Sequence, residues 1–420
     1  MKRKAAEVVI VGAGPAGAAL GLQLARRGRD VLILERSRFP RDKPCGDCVN
    51  PGAVAELVRL GVKDSLLRSL RPYPLKGWRV ESPDGRFFQA AFDREATGNG
   101  DQRLAWAVRR REFDAALLAE AQRAGARVNF QVRVYDLLRE NGRVVGVLAR
   151  DGTSEREIHS RVVVGADGLG SVVQRRLRLT SRSARLRKLA LVGHLREPIE
   201  TTGFGELRVR NGRSCGFAPL AGGGNVTLVL PTSEAAAVAG RPLEFLAVAL
   251  RMFPELAARV APVGLENSVS VTGPFDRPVR RPWSAGAVLI GDAAGYYDPF
   301  TGQGIHQALR SASLAAPAID AALGDPSAEA AALRRYGRQL RLELAPTRVL
   351  QRIIEGALNR PRVMSRFIDG LAFDDSAAAW RLLRVTGDLA HPLTLLDPSL
   401  WLRLATGMLL ASRSAARVRD

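Results

Sequence analysis

Apolar and polar positions along the 420-residue chain change period several times, and each change marks an element. Residues 8–11 form a short β-branched run, the pattern of a strand buried on both faces. The surrounding "EVVIVGAGPAGAALGLQLARRGRDVLILERS" predicts strand, tight turn, Ala/Leu-rich helix and second strand. In "VRRREFDAALLAEAQRAGARVNF", Phe113, Leu117, Leu118 and Ala121 fall on one helical face, and "ARVNFQVRV" then continues as a strand. "RVVVGADGLGSVVQRRL" is an apolar strand running through Asp-Gly into a helix. "AGAVLIGDAAGYYDPFTGQGIHQALRSASLAA" has a strand at 287–290, a glycine-rich turn and a long small-residue helix.

Between these segments the pattern shifts to strict alternation. Residues 73–103 alternate around an Asp-Gly turn, and "RSCGFAPLAGGGNVTLVLPT" reads as two strands joined by glycines. Residues 73–103 and 186–275 thus predict an antiparallel sheet laid over the other elements. Phe217 and Pro219 would face a cavity beneath it or its own core. The last ninety residues mix apolar helical stretches with Arg and end basic.

The turns carry the chemistry. Gly12, Gly14 and Gly17 give G-x-G-x-x-G between a strand and a helix. Gly12 permits the tight turn, Gly14 lets the backbone approach a pyrophosphate, and Gly17 allows close helix–strand packing. The helix N-terminus faces the phosphates, and Glu35, ending the next strand, stands where an acidic residue accepts from a ribose. This is a dinucleotide site, with FAD and NAD both open on these residues alone.

Three further stretches bear on that choice. Arg110 precedes its helix closely enough to reach phosphates or ribose, and Val134 would touch an adenosine end only through its backbone. Asp167-Gly168 and Gly291-Asp292 lie at strand ends, where a backbone turns sharply beside a ligand. Asp292 can hold a ribityl hydroxyl, and the helix opened by Gly304 can present N–H groups to an electron-rich carbonyl. A reduced flavin benefits from such a helix end.

These four elements in this order resemble the FAD-dependent oxidoreductases that include geranylgeranyl reductases and aromatic hydroxylases. The resemblance spans about residues 7 to 330. It implies an α/β fold: a Rossmann-like FAD-binding domain, mostly parallel sheet with helices, interleaved with an antiparallel β-sheet substrate domain and followed by a C-terminal helical region. The expected divisions are 1–72, 104–185 and 276–330 for the cofactor, 73–103 and 186–275 for the substrate, and 331–420 for the helical region. The resemblance implies FAD contacts at Ala16, Glu35, Arg110, Asp292, Gly304 and Ile305. With the turn residues, the expected cofactor set also includes Gly12, Gly14, Pro15, Gly17, Arg36, Cys45, Gly46, Cys48, Val134, Asp167, Gly168, Gly291, Pro299 and Gly302. Asp167-Gly168 would also lie near a transiently bound NAD(P)H. No second G-x-G-x-x-G follows a later strand, so a separate nicotinamide domain is not expected.

Composition changes this picture little. The net charge of +21 rests almost wholly on Arg, without the aromatic and basic interleaving that grips single-stranded nucleic acid. Nucleic acid is not an expected partner. A basic surface suits anionic lipid headgroups, so the C-terminal region is a candidate for peripheral contact at the inner membrane face. Three cysteines make no disulfide framework and suit a reducing cytoplasm.

Cys45 and Cys48 form a Cys-x-x-Cys within "RDKPCGDCVNP". No second Cys or His pair stands at zinc spacing, and no metal is expected. Cys45-Gly46 matches the Cys-Gly loop of geranylgeranyl reductases, so the pair reads as flavin lining, with Cys45 the one candidate for a chemical role. Of His159, His194, His306 and His391, none is assigned to catalysis. Three activities stay open. The first is a reductase of a hydrophobic prenyl, polyketide-derived or lipid-like substrate by flavin-mediated hydride transfer. The second is an NAD(P)H-dependent monooxygenase of an aromatic or phenolic lipid, and the third a flavoprotein that modifies a peptide or protein. "CGFAPLAGGGNV" lacks the Trp that geranylgeranyl reductases carry there, and no Trp-x-Trp-x-Ile-Pro of a halogenase occurs.

Overall fold

The computed structural model describes residues 6–93, 105–181, 186–210, 212–372, 377–402 and 405–406. Its first sheet is centred on β1 (Ala6–Val11), flanked in parallel by β2 (Val31–Glu35) and β11 (Ser154–Gly165). β8 (Arg127–Phe130) extends it beyond β2, and β18 (Ala287–Leu289) beyond β11, both parallel. β17 (Trp283–Ser284) closes that edge antiparallel, while β9 (Val132–Glu140) and β10 (Arg143–Asp151) form a meander on β11. The central strands are apolar throughout because both faces are covered, by helices and by the meander, whose Val132, Leu137 and Val147 join the same core.

Those helices follow from the periodicity. α1 (Pro15–Ala25) packs between α4 (Arg110–Arg123) and α9 (Gly304–Gly324). Phe113, Leu117, Leu118 and Ala121 of α4 are buried, as their shared face predicts. α2 (Pro51–Arg59), α3 (Lys63–Leu70) and the short α5 (Val172–Arg176) complete the layer. A three-stranded sheet of β3 (Cys48–Val49), β4 (Tyr73–Leu75) and β7 (Ala105–Ala107) bridges to the second lobe.

The second sheet runs β16 (Leu265–Thr272), β12 (Lys188–Leu195), β15 (Gly223–Pro231), β14 (Arg213–Leu220), β13 (Phe204–Arg210), β5 (Gly77–Glu81) and β6 (Phe87–Ala91). All pairs are antiparallel except β13 with β5. Period-two alternation sorts its side chains. Leu191, Phe217 and Leu228 join a core with α7 (Pro242–Leu250) and α8 (Pro254–Val260), beside α6 (Ala235–Val238). Small neighbours on the other face, Ala190, Gly216, Ala218 and Thr227, line a cavity.

The C-terminal helices are α10 (Glu329–Leu358), α11 (Pro361–Ala372) and α12 (Ala377–Thr386). The first half of α10 is not separate from the cofactor lobe: Leu333, Tyr336, Leu340 and Leu344 belong to its core. The reason is a buried anchor, Tyr336, whose hydroxyl donates to the Leu289 carbonyl at 2.6 Å. The second half turns to the other lobe, where Leu358, Met364 and Ile368 pack on Val80 and Phe88. No described helix is long and apolar enough to cross a membrane. The basic segment 407–420 lies outside the described residues.

Candidate active site

The glycine loop has the conformation that its spacing implies. Gly12 has a φ of +103°, and a Cβ there would stand 2.6 Å from the Ala166 carbonyl oxygen. A Cβ on Gly17 would run into the Gly12 carbonyl. Gly14 caps α1 with no side-chain hydrogen bond, and Pro15 follows at the first turn, so the next N–H groups lack a side-chain acceptor. Buried Glu35 accepts from Ala13 N–H through Oε2 and from Ser37 N–H through Oε1, each at 3.0 Å.

Of the expected contacts, Gly12, Gly17, Glu35, Arg36, Val134 and Asp167 do not border the cavity between the lobes. Arg36 is exposed, because it follows the last residue of an all-buried strand. Val134 is buried inside the meander opposite Ala149. The contact expected of Val134 is through its backbone, which burial of its side chain does not oppose. Arg41, by contrast, lies beside the glycine loop. Its Nη2 stands 3.6 Å from the position of a Gly14 Cβ, with Nη1 3.4 Å from Asp114 Oδ2.

Arg110 opens α4 and is buried, borders the cavity and is held by a carboxylate. Nε and Nη2 donate to the two oxygens of Asp114 at 2.8 and 2.9 Å. The guanidinium charge also bears on the Cys45 thiol. Burial outweighs the Arg110 charge and raises the Cys45 thiol; burial, with Cys45 and Asp47 nearby, pushes Cys48 well up. Both are free thiols, and the Cys48 Sγ donates to the Gly46 carbonyl at 3.2 Å.

The loop between them is fixed by residues that sequence reading left unassigned. Asp47, buried with a φ of +54°, accepts from Arg110 N–H at 2.8 Å and from Asn225 Nδ2 at 2.7 Å. His194 Nε2 lies 2.6 Å from the same Asp47 oxygen, and Asn225 also donates to the Cys45 carbonyl at 2.8 Å. The second lobe thereby holds the Cys-Gly loop against the first.

The strand-end motifs converge on Lys43. Its Nζ is 3.9 Å from Asp292 Oδ2 and 3.7 Å from the position of a Gly168 Cβ. Gly291 donates its N–H to Ser311 Oγ at 2.8 Å, which ties the turn to α9. Asp167 stays beneath the surface, raised by burial, with Oδ2 accepting from Val172 N–H at 2.7 Å. Pro299, Gly302, Gly304 and Ile305 all border the cavity. Gln303 caps α9 without a side-chain bond to it; its amide donates instead to Asp388 Oδ1 at 2.7 Å.

One cavity connects these parts. Gly14, Pro15 and Ala16 stand at one end, and Cys45, Gly46, Cys48 and Arg110 border its middle. Beyond Phe300 it continues as an apolar arm between Trp78, Val80, Phe88 and Leu207 of the sheet and Ile354, Ala357, Met364 and Phe367 of the helices. Phe217 both packs in the sheet core and touches the cavity; Pro219 is buried opposite Gly224 and does not. Two helix N-termini without side-chain caps opening into one space fit a ligand with a pyrophosphate and an electron-rich ring carbonyl. Among the described residues no group of three His, Cys, Asp or Glu could hold a metal ion.

Residues 5–348 match the family model for an FAD binding domain. The chain is 32% identical to the menaquinone reductase of Mycolicibacterium smegmatis over 328 residues, 74% of this chain and 75% of that one. It is 30% identical to digeranylgeranylglycerophospholipid reductase 2 of Methanopyrus kandleri over 341 residues, 79% and 81% of the two chains. Among solved structures, a flavoprotein/dehydrogenase from Cytophaga hutchinsonii superposes with a TM-score of 0.81 at 19% identity, over 97% of this chain and 100% of that one. The flavin-dependent halogenase CmlS gives 0.72 at 26% identity, over 82% and 63%.

Proposed function

The chain belongs to the FAD binding domain family of flavin-dependent oxidoreductases, and on that premise we propose that it reduces a carbon–carbon double bond in a prenylated or similarly apolar lipid. The observation that carries this reading is the apolar arm leading away from the cofactor end of the cavity. Its lining offers almost no hydrogen bonds, so it suits a hydrocarbon chain better than a polar aromatic acid. The two reductase relatives support the same substrate class.

Bound FAD supplies hydride-level, two-electron chemistry. Gly14 to Ala16 and Arg41 would hold its phosphates, and Asp292 with the α9 N-terminus its flavin half. Cys45 keeps its proton at neutral pH because burial raises its thiol, and it borders the cavity beside Arg110. It is our candidate proton source for the substrate carbon opposite the one that receives hydride. Trp78 of β5 supplies an aromatic wall to a cavity whose glycine turn has no Trp. NAD(P)H is the proposed reductant, bound transiently near Gly168 and Lys43.

Anaerobic incubation of the reduced holoenzyme with prenylated quinones and geranylgeranylated lipids tests the reading. A product with two hydrogens added across a prenyl double bond, still present after the quinone ring is reoxidised, is expected. A product that forms only with oxygen and gains a hydroxyl would overturn it in favour of a monooxygenase.

A further inference from the structure

The outward face of α10 carries a surface that the reaction does not use. Leu342, Val349 and Ile353 are 63%, 53% and 60% exposed. Spacings of seven and four residues stack them on one side of the helix. Arg335 and Arg338 continue the same stripe, while Arg334, Arg341 and Arg352 flank it. The three carboxylates of α10 point elsewhere: Glu329 pairs with Arg143, Glu343 with Arg310 and Glu355 with Lys188. Arg334, Arg335 and Arg338 form no ion pair with any described residue.

The apolar surface does not end with the helix. Val363 at the start of α11 is exposed, as are Leu393, Leu396 and Trp401. Their neighbours Leu395 and Leu400 pack with Leu358 and Met364, which keeps this surface beside the end of α10. Single exposed apolar residues are ordinary, but a continuous stripe set among unpaired cations calls for an occupant.

We propose that this face docks on a bilayer containing anionic lipid, and that apolar substrate enters the arm from there. The second half rests on the substrate class proposed above. Charge selects the partner: a second copy would bring the same excess of arginine to the contact, with the α10 carboxylates of both copies already paired. Anionic headgroups would instead neutralise the arginines while Leu342, Val349 and Ile353 enter the acyl boundary. Position supports the delivery route. Ile353 faces out while its neighbour Ile354 lines the arm, so one helix, about 10 Å across, separates bilayer from substrate space.

The test is sedimentation of the FAD-loaded full chain with phosphatidylcholine vesicles, with and without phosphatidylglycerol. Binding to the anionic vesicles is expected, weakening as salt rises. Val349→Glu/Ile353→Glu and Arg335→Glu/Arg338→Glu should each lower the partition coefficient by about tenfold or more, with flavin content and melting temperature unchanged. Equal binding to both vesicle types, or variants that bind as the parent does, would overturn the proposal. So would a dimer that Val349→Glu/Ile353→Glu dissociates while the parent ignores vesicles. The readout needs no turnover, so an error in the substrate class leaves the docking result standing.

Discussion

His306 of the cofactor helix and Asp388 beyond α12 meet across the seam between the cofactor lobe and the C-terminal region, Nδ1 lying 3.0 Å from Oδ2. The imidazole is not aligned for a hydrogen bond, so the contact is charge to charge. Asp388 also accepts from Gln303 Nε2 and from Asn50 Nδ2, each at 2.7 Å. One carboxylate thus joins the start of α9, the start of α2 and the end of α12.

Burial pulls the His306 pKa down, but the charge of Asp388, aided by Glu56 and opposed by Arg310, raises it overall above the ordinary 6.5. A folded-state pKa above the unfolded one gives stabilisation that is complete below 6.5 and fades as pH rises through the raised value. Melting temperature of the parent should therefore fall with pH in the window above 6.5. Asp388→Asn, which keeps amide bonding but loses the charge, should show a flatter profile and a lower melting point below that window.

Gly12 and Gly14 separate folding from cofactor binding. Gly12→Ala puts a Cβ at positive φ against the Ala166 carbonyl, so the apo chain itself should melt lower. A Gly14 Cβ would meet only the Arg41 guanidinium, at 3.6 Å. Gly14→Ala should leave apo melting unchanged and weaken FAD at least about tenfold by flavin fluorescence titration, because it crowds the pyrophosphate approach.

Asp114 is fully buried and depends on Arg110. Arg110→Leu should cost about 3 kcal/mol in urea denaturation, the low end for a broken buried pair because Arg41 stays 3.4 Å from Asp114. Arg110→Leu/Asp114→Leu should recover most of that loss.

Asp298 has one oxygen accepting from Phe300 N–H at 2.7 Å and one without a partner. Burial, against the pull of Lys188, pushes it up from 3.8 to about 6. A raised carboxylate pKa means that protonation favours the fold: the benefit is full below 3.8 and lost as pH rises through about 6. Asp298→Asn should therefore stabilise the chain at pH above 6, on the order of 2 kcal/mol, with no gain below 3.8.

Ala357 on α10 borders the apolar arm. Ala357→Trp should narrow it and lower kcat/KM about tenfold or more for long prenyl substrates, while short ones react as before. Equal loss for both lengths would point to damage at the cofactor end.

The cofactor turns were legible because each is local. Gly12 must reach positive φ and Gly17 must meet a neighbouring carbonyl, constraints that a few consecutive residues express. The paired strands β14 and β15 were legible for the same reason. What escaped depends on distant partners. Asp47 finds His194 across 147 positions and Asn225 across 178, and Asn50 finds Asp388 across 338. Nothing in "PCGDCVNP" distinguishes Asp47 from a surface residue until those partners are placed. Arg36 and Arg41 show the converse: two arginines in one loop, of which only the fold selects the one beside Gly14.

The order in which the chain leaves the ribosome gives α10 a further meaning. The first strand at Ala6–Val11 waits for β11 at Ser154–Gly165, the sheet edge waits for β18 at Ala287–Leu289, and the lobe is closed only by Tyr336. The dinucleotide loop is translated first and completed late. A chain that stops before α10 leaves the edge beside β18 and the core around Leu289 without their last cover.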